Sequence, residues 1–254
     1  MMKKIFKHWK LIFVSLTIFL IAGIGFYFVY QQKELDKTAQ NIQNTAIQAM
    51  EKQQKRQNKQ SQQKEMSSDE KVPDTETTEE KQKENQQNEI QISTSENQPD
   101  YVGKDVKPLT LEAMKKVNAE KVVSNFGMGT IQIPSIGMNL PILEGMSQEN
   151  LSVGAGTMKP NQELGKGNFT LAGHYMTNAG LLFGGIKNVK KNDPVQVTYK
   201  NKTMNFKVIK IEHITAEDNQ VIFDSEGNGI LTLITCDSSV DGTNGRLMVR
   251  AVRS

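Results

Sequence analysis

Along the 254-residue chain the alternation of hydrophobic and polar positions follows three successive patterns. Leu11 to Tyr30, LIFVSLTIFLIAGIGFYFVY, is apolar on every helical face and carries no charge. Twenty residues at about 1.5 Å each reach about 30 Å, the thickness of a bilayer's hydrocarbon core, and predict a membrane-spanning helix. Residues 31–100 are polar and hold no Phe, Trp or Tyr. Leu35, Ile42, Ala46, Ala49 and Met50 keep a loose helical spacing there, which suits a stalk continuing the membrane helix or a weak coiled coil. From about Lys52 onward the composition predicts disorder, and the whole segment reads as a plain tether. As a flexible coil its seventy residues reach about 45–50 Å, enough to hold a domain off the membrane.

Residues 101–254 show the third pattern, in which short apolar or alternating runs are separated by Gly, Pro, Asn and Asp. Leu109, Leu111, Met114 and Val117 predict one helix over Pro108–Lys121, and LLFGGIKN predicts a short helix over Leu181–Asn188. Strand signals cover Gly129–Ile133, Met138–Leu143, Val153–Thr157, Asn168–His174, Val195–Tyr199, Thr203–Thr215, Gly229–Cys236 and Arg246–Val252. Eight strands this short predict a mostly β, closed or nearly closed barrel rather than a doubly wound sheet. The domain plan is a basic head (1–10), a membrane anchor (11–30), a polar spacer (31–100) and one folded domain (101–254). Only the last is long enough to bury a sizeable core.

Charge refines this plan. The net charge of +3 is the sum of unlike parts. The head carries Lys3, Lys4, Lys7 and Lys10 with no acid, while residues 31–100 hold ten bases and fourteen acids. Lysines before the apolar run predict a cytoplasmic N-terminus and an external folded domain, in a single-pass protein of the cell membrane. The apolar run is too long for a cleaved signal peptide, and YFVYQQK has no small-x-small cleavage site. No dense Lys/Arg patch with interleaved aromatics lies in the folded part, so nucleic acid is not an expected partner.

Three residues then stand out for their placement at strand ends. Cys236 is the only cysteine, and it ends the strand ILTLITC in the stretch GILTLITCDSS. His174 ends the strand FTLAGH, and Arg246 opens the last strand, RLMVRAVR. His8 lies in the basic head, and His213, inside a long strand in register with Ile209 and Ile211, reads as a structural histidine. A short loop between Cys236 and Arg246 makes their strands neighbours, whereas His174 would have to reach the same rim from the far side. A thiol is a better nucleophile as thiolate, which a neighbouring imidazolium and guanidinium favour. The imidazolium then protonates a departing amine, and the fixed cation stabilises the developing oxyanion. A buried cysteine with a surface His and Arg is the bland alternative.

LAGHYM, followed some sixty residues later by TLITC and an Arg opening the final strand, resembles the sortase family, and within it the class A (housekeeping) sortases of Gram-positive bacteria. The resemblance covers roughly residues 125–254. It implies the eight-stranded sortase barrel, with Cys236 as nucleophile, His174 as general acid/base and Arg246 as the arginine that positions substrate. Arg250, on the same strand face, is the rival for that last role. Ala172, Thr235, Val221 and Ile222 are implied as substrate-binding, Val221 and Ile222 through the loop after the sixth strand. The implied reaction is transpeptidation. An LPxTG-type signal is cut between Thr and Gly through a thioester on Cys236 and passed to an amine of a peptidoglycan precursor of the lipid II type. The implied partners are LPxTG-bearing surface proteins, that precursor and the bilayer.

Some class A sortases bind calcium through several acids before the histidine strand. Asn150–Gly173 holds only Glu163, so no calcium and no other cofactor is expected. Pilus-building sortases often carry an N-terminal lid and a C-terminal membrane segment, and neither is expected of this chain. L,D-transpeptidases carry an S-H-G-C type motif that Cys236 lacks, and papain-like and NlpC-type hydrolases place Cys before His. From a different class, a non-catalytic wall-binding module predicts that Cys236 is dispensable.

Overall fold

The computed structural model describes residues 2–66, 98–103, 106–224 and 229–254. Eight strands run in chain order: β1 (Gly127–Ile133), β2 (Met138–Leu143), β3 (Ala155–Thr157), β4 (Asn168–Ala172), β5 (Pro194–Tyr199), β6 (Lys202–Thr215), β7 (Ile230–Cys236) and β8 (Gly245–Arg253). They close into a barrel in the order β1-β2-β3-β4-β7-β8-β6-β5. The pairs β2–β3 and β4–β7 are parallel, and the others are antiparallel. The mostly β, closed architecture expected from the sequence is therefore the observed one.

Period-two patterning accounts for the walls. Met204, Phe206 and Val208 of β6 point inward while their neighbours face solvent. Ile209 faces out in the same alternation, and a register shift between Val208 and Lys210 then changes the phase, so Ile211 turns toward the core. β7 is buried over Leu231–Thr235, as a strand between two covered neighbours should be. Inside the barrel Phe169 meets Tyr199 edge to face, with ring centroids 4.8 Å apart. Each buried Leu, Ile or Phe of this core contributes about 1.5–3 kcal/mol.

The helices depart from expectation. Instead of one helix over Pro108–Lys121 there are two, α2 (Leu111–Lys116) and α3 (Ala119–Phe126). Thr110 caps α2 by accepting from the Ala113 N–H, and Asn118 caps α3 by accepting from the Lys121 N–H. Asn118 starts a new helix because its side chain competes for backbone donors, leaving Val117 extended between the two. Leu181–Asn188 yields only a 3-10 turn, Ile186–Asn188. A helix absent from the sequence reading, α4 (Gln148–Val153), is capped by Ser147.

The largest correction concerns the spacer. One helix, α1 (Met2–Met66), runs without a break through the apolar segment and well past Lys52. Residues 67–97 of the spacer lie outside the described residues. From Leu35 to Gln53, α1 packs against α2, α3, α4 and the β1–β2 wall. Ala39, Ile42, Ala46 and Met50 are buried there, with Leu35 and Ala49 partly so, and they form one stripe at 3.6-residue spacing. Met50 lies against Gly127, where any Cβ would sit 2.5 Å from its Cε. Gln43 Oε1 accepts from the Leu182 N–H (3.0 Å), Gln53 donates to the Gly127 carbonyl (3.3 Å), and Asn178 donates to Asp36 (3.1 Å). Ile42 and Met50, at about 1.5–3 kcal/mol each, outweigh these hydrogen bonds at about 1 kcal/mol each. Apolar burial holds the helix, and the polar contacts set its register.

Candidate active site

Parallel pairing of β4 with β7 brings the chemistry together. Ala172 lies opposite Ile234, and the next amide, Gly173 N–H, donates to the Ile234 carbonyl (3.1 Å). Parallel strands end at the same rim, so His174, two residues past β4, emerges beside Cys236 at the end of β7. On the other side of β7, Cys236 pairs directly with Arg246 of β8. The three residues thus sit at the same end of three adjacent strands, His174 just beyond β4. His174 does not approach from the far side, because the crossover from β4 to β7 makes its strand an immediate neighbour.

The backbone of His174 is fixed by its carbonyl, which accepts from the Phe183 N–H (3.1 Å). The Phe183 ring covers Gly173, where a Cβ would meet it at 2.4 Å, so only glycine fits before this histidine. His174 is 7% exposed, and burial pushes its pKa down to about 4. At neutral pH the ring is neutral. The resting imidazolium expected from the sequence is disfavoured by this desolvation.

Gln148 of α4 is a residue the sequence reading missed. Its Oε1 accepts from the Lys107 N–H (2.8 Å), which turns its amide nitrogen toward His174 Nε2 (3.4 Å). A donor facing Nε2 requires the ring proton on Nδ1. The one available signal was the cap, Ser147, that starts α4 and aims its first residue.

Cys236 is a free, half-buried thiol. Arg246 donates from Nη1 to the Thr243 (2.7 Å) and Gly245 (2.9 Å) carbonyls, which anchors it to its own loop beside the thiol. Arg250 is placed differently. Its Nη2 donates to the Val221 carbonyl (3.1 Å), so it holds the 3-10 turn Asn219–Ile222 against the barrel. His213 is exposed on the outer wall opposite Leu247, so it is not buried in the structure as a structural histidine would be.

Two openings meet at these residues. One, of about 320 Å³, is a groove lined by Ala172, Thr235, Val221 and Ile222 together with Leu151 and Ile214, and it ends at His174, Cys236 and Arg246. Thr235 is 3% exposed, and its hydroxyl is buried without a partner among the described residues. The other, of about 400 Å³, lies on the β7–β8 loop side and is lined by Gln32, Leu35, Tyr175, Val240, His174, Cys236 and Arg246. Val106 lines both. Val106, before α2, therefore lies at the rim although no lid motif shows in the sequence, because an irregular stretch leaves no periodic signal. Among the described residues no cluster of three or more His, Cys, Asp or Glu is placed to hold a metal ion.

A model of the sortase domain matches residues 131–254, which hold all three rim residues. Sortase A of Bacillus anthracis is 38% identical over 116 residues, 46% of this chain and 55% of that protein. Sortase A of Listeria monocytogenes is 38% identical over 116 residues, 46% of this chain and 52% of that protein. The chain thus spans about half the length of these curated relatives. A putative sortase of Bacillus subtilis, YwpE, is 37% identical over 93 residues, which is 37% of this chain and 89% of that protein. The crystal structure of Listeria monocytogenes sortase A shares 34% identity over 50% of this chain and 87% of that one, with a TM-score of 0.48. With a homologous domain, a closed eight-stranded barrel and sortase A proteins among its relatives, the chain belongs to the sortase family.

Proposed function

We propose that this protein is a class A, membrane-anchored cysteine transpeptidase that cuts LPxTG-type sorting signals between Thr and Gly and transfers the acyl part to an amine of a peptidoglycan precursor. The observation that carries the reading is the juxtaposition of His174, Cys236 and Arg246 at the ends of adjacent strands, where two openings meet. The apolar groove suits the Leu-Pro part of the signal, with Val221 and Ile222 on one wall and the unpaired Thr235 hydroxyl free to bond a substrate amide. The second opening leaves a path for the amine.

Neutral His174 takes the thiol proton as Cys236 attacks the Thr carbonyl, and it returns that proton to the departing glycine amine. Arg246 stabilises the oxyanion while it lasts. In the second half the incoming amine attacks the thioester, its surplus proton passes through His174, and the thiol is restored. One amide replaces another, so no ATP and no cofactor enters, and no calcium is required. The apolar end of α1 is long enough to cross a membrane. With its lysine-rich start inside, the barrel is external.

The test is to incubate the full chain in detergent with an LPxTG peptide and oligoglycine, with and without EDTA. The expected product is the peptide cut after Thr and joined to oligoglycine, at the same rate in both. A peptide that binds but stays uncut would favour the wall-binding module instead.

A further inference from the structure

We infer that α1 seats the catalytic rim in the headgroup layer of the membrane, with the β7–β8 loop dipping into it, so that substrates reach Cys236 along the bilayer surface. This rests on the reading of the apolar half of α1 as a membrane span.

Gln32 and Leu35, which line the opening at Cys236, lie two and five residues beyond Tyr30, the last residue of the apolar run. On a continuous helix that is about 3 and 7.5 Å along the axis. The polar layer on each side of the hydrocarbon is about 5–7 Å thick. An ordinary tilt of about 20° shortens these heights by less than a tenth. The opening therefore lies at headgroup level. The barrel cannot swing away while Ala39, Ile42, Ala46 and Met50 remain docked. Its opposite end stands far off, since Met50 reaches Gly127 twenty residues beyond Tyr30, about 30 Å along the axis.

The surface at that level suits lipid. Val240, at the tip of the β7–β8 loop, is a bare aliphatic side chain, 66% exposed, on the wall of the same opening. Lys107 is exposed on the wall of the same opening, where phosphate headgroups favour cations, and Asp241 is the one acid among the residues lining it. An amine carried on a lipid-linked precursor meets Cys236 without leaving the membrane.

The test uses the full chain with Cys236→Ala and one introduced cysteine, Val240→Cys or, at the far turn beside Met128, Asn201→Cys. Each is labelled with a fluorophore and reconstituted into phosphatidylcholine vesicles containing a headgroup-nitroxide lipid. Quenching several-fold stronger at position 240 than at 201 is expected, and equal quenching overturns the inference. A second variant, otherwise native, carries ten Gly/Ser residues inserted between Tyr30 and Gln31, which lifts the barrel without touching the docked half. It should turn over soluble LPxTG peptide and oligoglycine as the native chain does, yet lose about tenfold with a lipid-anchored amine in vesicles. An unchanged rate with the anchored amine overturns the inference. Absence of soluble turnover in the native chain would count against the transpeptidase reading instead, and the quenching result decides the membrane seat by itself.

Discussion

The catalytic rim and the docked half of α1 are held in place by different means. At the rim, strand pairing fixes His174, Cys236 and Arg246 relative to one another, so their spacing follows from backbone hydrogen bonds that any side chain would leave intact. On α1 only side chains hold the contact: a stripe of Ala39, Ile42, Ala46 and Met50, with three lateral hydrogen bonds. A rim residue can therefore be changed with loss of chemistry and little loss of fold. A stripe residue can be changed with loss of docking and little loss of chemistry. The same helix shows a further contrast along its own length. Leu16 to Tyr30 exposes apolar side chains on every face, as lipid requires, whereas the docked half confines them to one.

That contrast breaks most visibly at the histidines. His174→Ala should lower kcat/KM for the LPxTG peptide by about 10³–10⁴ with an unchanged circular dichroism spectrum, while exposed His213→Ala stays within about twofold. A folded but inactive His213→Ala would move the acid/base role from His174 to His213. The arginines come next. Arg246→Ala should cost about 10²–10³ in kcat with the fold intact. Arg250→Ala should instead lower the melting temperature and raise KM, because it releases the turn that carries Val221 and Ile222. Equal kcat losses in the two would erase the distinction drawn between them.

Met50→Ala sharpens the other side. It should weaken docking by about 2–5 kcal/mol, read as faster protease cleavage within residues 35–66, with turnover of soluble peptides preserved. A smaller effect comes from His174 itself. Its folded pKa, about 4, lies below the unfolded value of about 6.5, so the unfolded state binds the extra proton between those values. The resulting stabilisation, on the order of 3 kcal/mol at most, is complete above about pH 6.5 and is lost as pH falls toward 4. Denaturant titrations at pH 7 and pH 4.5 should show a smaller acid loss in His174→Gln than in the native chain.

Legibility in the sequence followed the same division. All eight strands were visible because Gly, Pro and Asn punctuate them and because the β7 run ILTLIT is apolar throughout. Cys236 and His174 were visible because rare, reactive side chains stood at strand ends. Their contact was not, since a parallel β4–β7 pair joins segments some sixty residues apart and no local pattern records it. Docking of α1 was hidden for another reason. Two of its buried stripe residues are alanines set among Gln, Lys and Asn, so the segment has too little apolar surface to announce an interface. Only the cradle formed by α3, Gly127 and the β1–β2 wall makes that surface sufficient. Gln148 was hidden because its role depends on Lys107 at one end and His174 at the other.

The central claim is that Cys236 becomes acylated, and intact-mass spectrometry tests it directly. The full chain is mixed with an LPxTG peptide and no acceptor, then quenched in acid. The account predicts an adduct with the mass of the peptide's acyl part through Thr, located on Cys236, cleaved by hydroxylamine and discharged by oligoglycine. A native chain that cuts the peptide without any adduct, or an adduct that persists in Cys236→Ala, would contradict it.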